Sequence, residues 1–218
     1  MRKILLATAF VLFTLHAHAA NVSGIYKISE AANPEGGDAY TGEVAVDGRG
    51  KNVYYIDWKL DGSPAAYGVG LLVGDTLCVG RSPASGYGIV VYKVDGGHLK
   101  GDWITDGTAE FPGTENIDGP AGLNGSYQIV EGHGADNAPA YSGSVEIHPT
   151  GEVYNVTWTV GNGEVYQGVG LLKGDMFIVA WGTGAGVIYY DIGDNALSGH
   201  WANQGAQKAG VENLVRKE

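Results

Sequence analysis

Gly68-Val69-Gly70-Leu71-Leu72-Val73-Gly74-Asp75 returns as Gly168-Val169-Gly170-Leu171-Leu172-Lys173-Gly174-Asp175, and this repetition decides how the chain is read. The match extends outward on both sides. Tyr26 answers to Tyr127, Tyr40 to Tyr141, Trp58 to Trp158, Tyr92 to Tyr190 and Trp103 to Trp201. The offset drifts from about 101 to 97 residues, with the length changes in the turns. Indels belong there, because a slip of one residue within a strand sends every side chain to the opposite face. The chain is one β-rich unit written twice, over residues 22–117 and 123–214, with Asp118-Gly119-Pro120-Ala121-Gly122 expected as the linker.

Within each unit the pattern is that of strands. Ser23 to Ser29 alternates, with Tyr26 and Ile28 on one face and Lys27 and Ser29 on the other, and Val53 to Leu60 puts Tyr54, Ile56 and Trp58 on one side. Short strands at a spacing of roughly 8–12 residues, joined mostly by tight turns, form a meander. Eight of them per unit predict an all-β protein, a tandem duplication of an antiparallel eight-stranded up-and-down barrel, since closure removes the aggregation-prone edges. A pair of β-sandwiches is the alternative that periodicity leaves open. The 37 glycines punctuate apolar runs and are read as turn chemistry.

Met1 to Ala19 has the form of a signal peptide. Arg2 and Lys3 precede the apolar run Ile4 to Leu15, and Ala17-His18-Ala19 offers a cleavage site. The apolar run is too short for a membrane span, so a periplasmic or secreted location is expected. The formal charge of −11 disfavours nucleic acid as a partner. Cys78, the single cysteine, lies in the apolar run Thr76 to Val79 and reads as a small core residue.

The inward faces are rich in aromatic residues: Tyr26, Tyr40, Tyr54, Trp58, Tyr92 and Trp103 in the first unit, and Tyr127, Tyr141, Tyr154, Trp158, Tyr190 and Trp201 in the second. An eight-stranded barrel is wide enough either to be filled by such side chains or to hold one small ligand. The candidate ligand-binding residues are therefore Tyr26, Tyr54, Trp58, Tyr92, Trp103, Tyr127, Tyr154, Trp158, Tyr190 and Trp201. Glu115-Asn116 and Glu212-Asn213 also recur, each after a glycine two residues earlier. Either glutamate is a candidate acid or base, or a partner for backbone donors where the last strand meets the first. His98, His133, His148 and His200 are not repeated and have no metal-site spacing, so neither a metal nor a cofactor is expected.

Gly24-Ile25-Tyr26-Lys27-Ile28, Tyr40-Thr41-Gly42, Trp58, Gly88-Ile89-Val90-Val91-Tyr92, Leu99-Lys100-Gly101-Asp102-Trp103 and Gly113-Thr114-Glu115-Asn116 together resemble a family of small exported glycine-rich bacterial β proteins. Some of its members are labelled fibronectin-binding. The resemblance covers nearly all of the chain after the leader, rests on fold-forming positions and implies no site. The shape is similar to avidin and lipocalin barrels by analogy alone, with Gly-x-Tyr where lipocalins have Gly-x-Trp.

The expected function is an exported, non-enzymatic binding or interaction module, whose partner is a small molecule or an extracellular or periplasmic protein. The alternatives are an enzyme using Glu115 or Glu212 in a barrel pocket, and a structural component of an envelope or matrix.

Overall fold

A computed structural model describes residues 22–36, 38–63, 66–107, 111–135, 140–161 and 163–218. The expected leader, Met1 to Ala19, lies outside the described residues. The strands are β1 (Gly24–Ala32), β2 (Gly42–Gly50), β3 (Val53–Leu60), β4 (Ala66–Val73), β5 (Thr76–Arg81), β6 (Gly88–Asp95), β7 (His98–Thr105) and β8 (Gly113–Asp118), followed by β9 (Gly125–His133), β10 (Ala140–Thr150), β11 (Val153–Val160), β12 (Glu164–Lys173), β13 (Met176–Trp181), β14 (Gly186–Gly193), β15 (Ala196–Asn203) and β16 (Gly210–Arg216). They close into two antiparallel eight-stranded barrels. The recurring Gly-Asp makes the tight turns from β4 to β5 and from β12 to β13, where Gly74 and Gly174 both take φ of +59°, a conformation costly for residues with a Cβ.

The barrels are out of phase with the sequence repeats. The first barrel runs β1-β16-β15-β14-β5-β4-β3-β2, and the second is built from β6 to β13. The second barrel is thus a contiguous meander, residues 88–181, inserted between the fifth and sixth strands of the first. The expected division at 118–122 is corrected accordingly. β8 pairs with β9, with Ile117 opposite Ile129, so that segment turns the chain inside the second barrel. The connections between barrels are Ser82 to Tyr87 and Gly182 to Ala185.

A seam between the barrels accounts for this arrangement. β5 is buried on both faces: Leu77 and Val79 point into the first barrel, while Cys78 points out into a second apolar layer. Val69, Leu71, Ile89, Val91, Val169, Leu171, Ile178 and Val187 belong to that same layer, drawn from both barrels and buried. Full burial of a Val, Leu or Ile side chain stabilises by about 1.5–3 kcal/mol relative to exposure. The outward faces that meet here could not remain apolar in an isolated barrel without exposing a large patch. Cys78 takes the expected part of a small apolar residue, and burial pushes its thiol up to about 12.

Many glycines lie within strands rather than turns, which revises the turn-based reading. A Cβ on Gly101 would stand 2.6 Å from Tyr92 Cδ1, one on Gly132 2.8 Å from Tyr141 Cε2, and one on Gly199 2.5 Å from Tyr190 Cδ1. In each pair the glycine sits directly opposite the aromatic residue on the neighbouring strand. The missing side chain lets the ring lie flat across the next strand.

Candidate functional site

Those flattened rings converge on a carboxylate in each barrel. Alternation along β8 turns Gly113, Glu115 and Ile117 inward, and along β16 it turns Gly210, Glu212 and Leu214 inward. Gly101 and Gly132 flank Glu115 on the two neighbouring strands. Tyr92 reaches over the first of these and Tyr141 over the second. Tyr92 Oη donates to Glu115 Oε1, Tyr141 Oη donates to Oε2 at 2.9 Å, and Trp158 Nε1 donates to Oε1 from across the lumen at 2.9 Å. The first barrel repeats the set. Glu212 accepts from Tyr190 Oη, from Tyr40 Oη at 2.7 Å and from Trp58 Nε1 at 3.0 Å. Both glutamates are 4% exposed.

The tyrosines are held as donors. Burial, followed by the adjacent Glu115 charge, raises the Tyr92 and Tyr141 hydroxyls above the ordinary phenol value, and burial with Glu212 does the same for Tyr190 and Tyr40. Each carboxylate therefore keeps its three donors through the neutral range, as a satisfied buried charge requires.

Above each floor the barrel opens into a cavity, about 370 Å³ in the first barrel and about 440 Å³ in the second. Trp58, Trp201, Tyr40 and Glu212 line the first, and Trp158, Trp103, Tyr141 and Glu115 line the second. The walls then diverge. Arg81, Asn203 and Ala66 in the first barrel face the lumen where Trp181, Thr105 and Tyr166 do so in the second. Arg81 Nη2 donates to Asn203 Oδ1 at 2.7 Å, and its Cζ lies 5.7 Å from the Trp201 ring centroid. Burial lowers the guanidinium's pKa, opposed by Glu212, Tyr40 and Tyr190.

In the second barrel the aromatic residues form a continuous wall. Ring centroids are 6.4 Å apart for Tyr141 and Trp103, 6.2 Å for Trp103 and Trp181, and 6.2 Å for Trp181 and Trp158, all near edge-to-face. Glu115 bridges Trp158 to Tyr141 and so completes the circuit. The indole N–H groups of Trp103 and Trp201 are buried without a hydrogen-bond acceptor, although each lies near enough to its neighbouring tyrosine to favour that phenolate.

The expected ligand residues thus separate into groups. Trp58, Trp201, Trp103 and Trp158 line cavities. Tyr92 and Tyr190 lie beneath, bonded to the glutamates. Tyr26 and Tyr127 bond elsewhere: Tyr26 Oη donates to Val22 O at 2.8 Å and Tyr127 Oη donates to Pro120 O at 2.9 Å. Tyr154 packs edge-on to Phe177 at 5.1 Å and Tyr54 against the first barrel's core, away from both cavities. Arg81 and Trp181 were not singled out from the sequence, because each ends its strand beside a loop. Their exchange at equivalent places in the repeat, 100 residues apart, is the sequence signal that could have found them. Among the described residues, no group of three or more His, Cys, Asp or Glu side chains is placed to hold a metal ion, and no helix is long and apolar enough to cross a membrane.

No protein-family model matches the chain, and no curated protein or solved structure matches it either.

Proposed function

We propose that this chain is an exported, non-enzymatic small-molecule binding protein, with its ligand held in the mouth of the second barrel. The observation that carries this reading is the cavity of about 440 Å³ walled by Trp103, Trp158, Trp181 and Tyr141 over Glu115. Binding sites are concave, mostly apolar and equipped with a few placed polar groups, and this cavity has that composition. Catalysis by Glu115 is less well supported. Both of its oxygens already accept hydrogen bonds from residues held protonated, and a carboxylate so engaged is a poor shuttle for protons. The leader-like Met1 to Ala19 supports export.

One experiment tests both parts: native mass spectrometry of the intact protein taken from its own organism's exported fraction. The expected result is a chain lacking Met1 to Ala19 that carries a small added mass. That added mass should be lost in Trp103→Ala and kept in Trp201→Ala. A bare chain, together with unchanged indole NMR signals across a library of small aromatic compounds, would overturn the binding reading.

A further inference from the structure

Resting on that reading, we infer that the second barrel's ligand is an organic cation with a flat apolar body, its charge balancing Glu115 as the Arg81 guanidinium balances Glu212 in the first barrel. The two barrels supply the comparison. Each buries a glutamate under the same three donors. A hydrogen-bonded carboxylate still carries its charge into a region of low dielectric, where an opposite charge nearby offsets the cost. The first barrel contains that opposite charge. Arg81 lines the cavity above Glu212, interacts with it electrostatically and lies over the face of Trp201 at 5.7 Å.

The second barrel lacks it. Trp181 stands at the place of Arg81, and among the described residues no Lys, Arg or His lines the cavity. Asp106 at the rim adds to the negative character instead. What the exchange introduces is a third indole beside Trp103 and Trp158, and indoles are the aromatic side chains that attract cations best. Trp103 corresponds to Trp201, and Trp181 packs edge-on against it at 6.2 Å, so the place that carries a charge in one barrel carries an indole in the other. A negative floor under aromatic walls, without an internal cation, selects a guanidinium or ammonium group attached to an aromatic or aliphatic body.

Three probes of similar shape test this: benzylguanidinium, its neutral analogue benzylurea, and the anion 3-phenylpropionate. Binding is followed through the indole N–H signals of the whole protein by NMR titration. Benzylguanidinium should bind at least tenfold more tightly than benzylurea, and 3-phenylpropionate should bind most weakly. Glu115→Gln should abolish the difference between the first two while the barrel stays folded, because the amide oxygen can face Trp158 and Tyr92 and the amide N–H can face the Tyr141 hydroxyl. Trp181→Arg combined with Thr105→Asn, which copies the first barrel, should remove the preference independently. Equal affinities for benzylguanidinium and benzylurea would overturn the charge inference and leave the cavity reading intact. No shift of Trp103, Trp158 or Trp181 with any probe would overturn both.

Discussion

The floors of the two barrels are alike and their mouths are not. At the floor, a glutamate, two tyrosines and an indole recur with the same bonds in both barrels. At the mouth, Arg81 and Asn203 face one cavity where Trp181 and Thr105 face the other. The difference teaches that the buried hydrogen-bonded set belongs to the fold, since every ring in it depends on its neighbours across the strands. The rim can vary because its side chains pack mainly on one another, Arg81 on Asn203 in one barrel and Trp181 on Trp103 and Trp158 in the other. Chemistry that distinguishes the barrels must therefore be sought at the rim.

The largest test breaks the floors. Glu115→Ala strands two phenols and an indole without an acceptor, and a buried donor left unpaired costs about 1–3 kcal/mol. Partial access of water from the cavity lowers the sum, so a loss on the order of 3 kcal/mol is expected in urea unfolding. Glu212→Ala should cost more than Glu115→Ala, because it also leaves Arg81 without its nearby negative charge. Equal losses would show that Arg81 does not depend on Glu212.

Alkaline titration acts on both floors together. The ordinary phenol value is 10.0, and Tyr92 and Tyr190 lie well above it in the fold. The folded state therefore favours the protonated phenol. Its contribution is complete below about pH 10 and is lost as pH rises toward the folded values. The thermal midpoint should fall from about pH 10 upward, with phenolate absorbance of the buried tyrosines appearing only as the barrels open. Phenolates forming in an intact fold would contradict the burial described for these rings.

The smallest effect sharpens the contrast at the mouth. A Cβ on Gly113 would stand 2.5 Å from Trp103 Cζ2 and 2.6 Å from His133 O. Gly113→Ala should thus displace the Trp103 ring, weaken binding in the second cavity and cost about 1–3 kcal/mol, as overpacking does. Gly205→Ala, where φ is +87° and a Cβ would meet nothing within 4 Å, should leave binding unchanged. Thermal melts and probe titrations on both variants check this pair.

Much of this was legible in the residues. The alternation of Tyr54, Ile56 and Trp58 gives their inward face, and the repetition of Glu115 and Glu212 singles them out, whereas their tyrosine and indole partners come from strands that only the closed barrels bring together. The pairing of β5 with β14 was not legible, for a physical reason. The inner strand that β5 needs as a neighbour begins Gly88-Ile89-Val90 in one repeat and Gly186-Val187-Ile188 in the other, so local pattern satisfies either choice. The apolar seam selects between them, and a seam is a property of two assembled surfaces. The packing role of Gly101 and Gly132 is hidden for a similar cause, since the ring that needs their missing side chain lies on another strand.

The nesting of one barrel inside the other also sets an order of completion during synthesis. Residues 88–181 contain every strand of the second barrel, so it can close as soon as Trp181 has been made. The first five strands by then still have one edge of β5 and one edge of β1 unpaired, because β14 to β16 come last, and Tyr26 meets its neighbour Arg216 only at the end of the chain. A nascent chain with this topology finishes its inserted barrel first and its enclosing barrel last, and it remains open at the N-terminal side until almost the final residue.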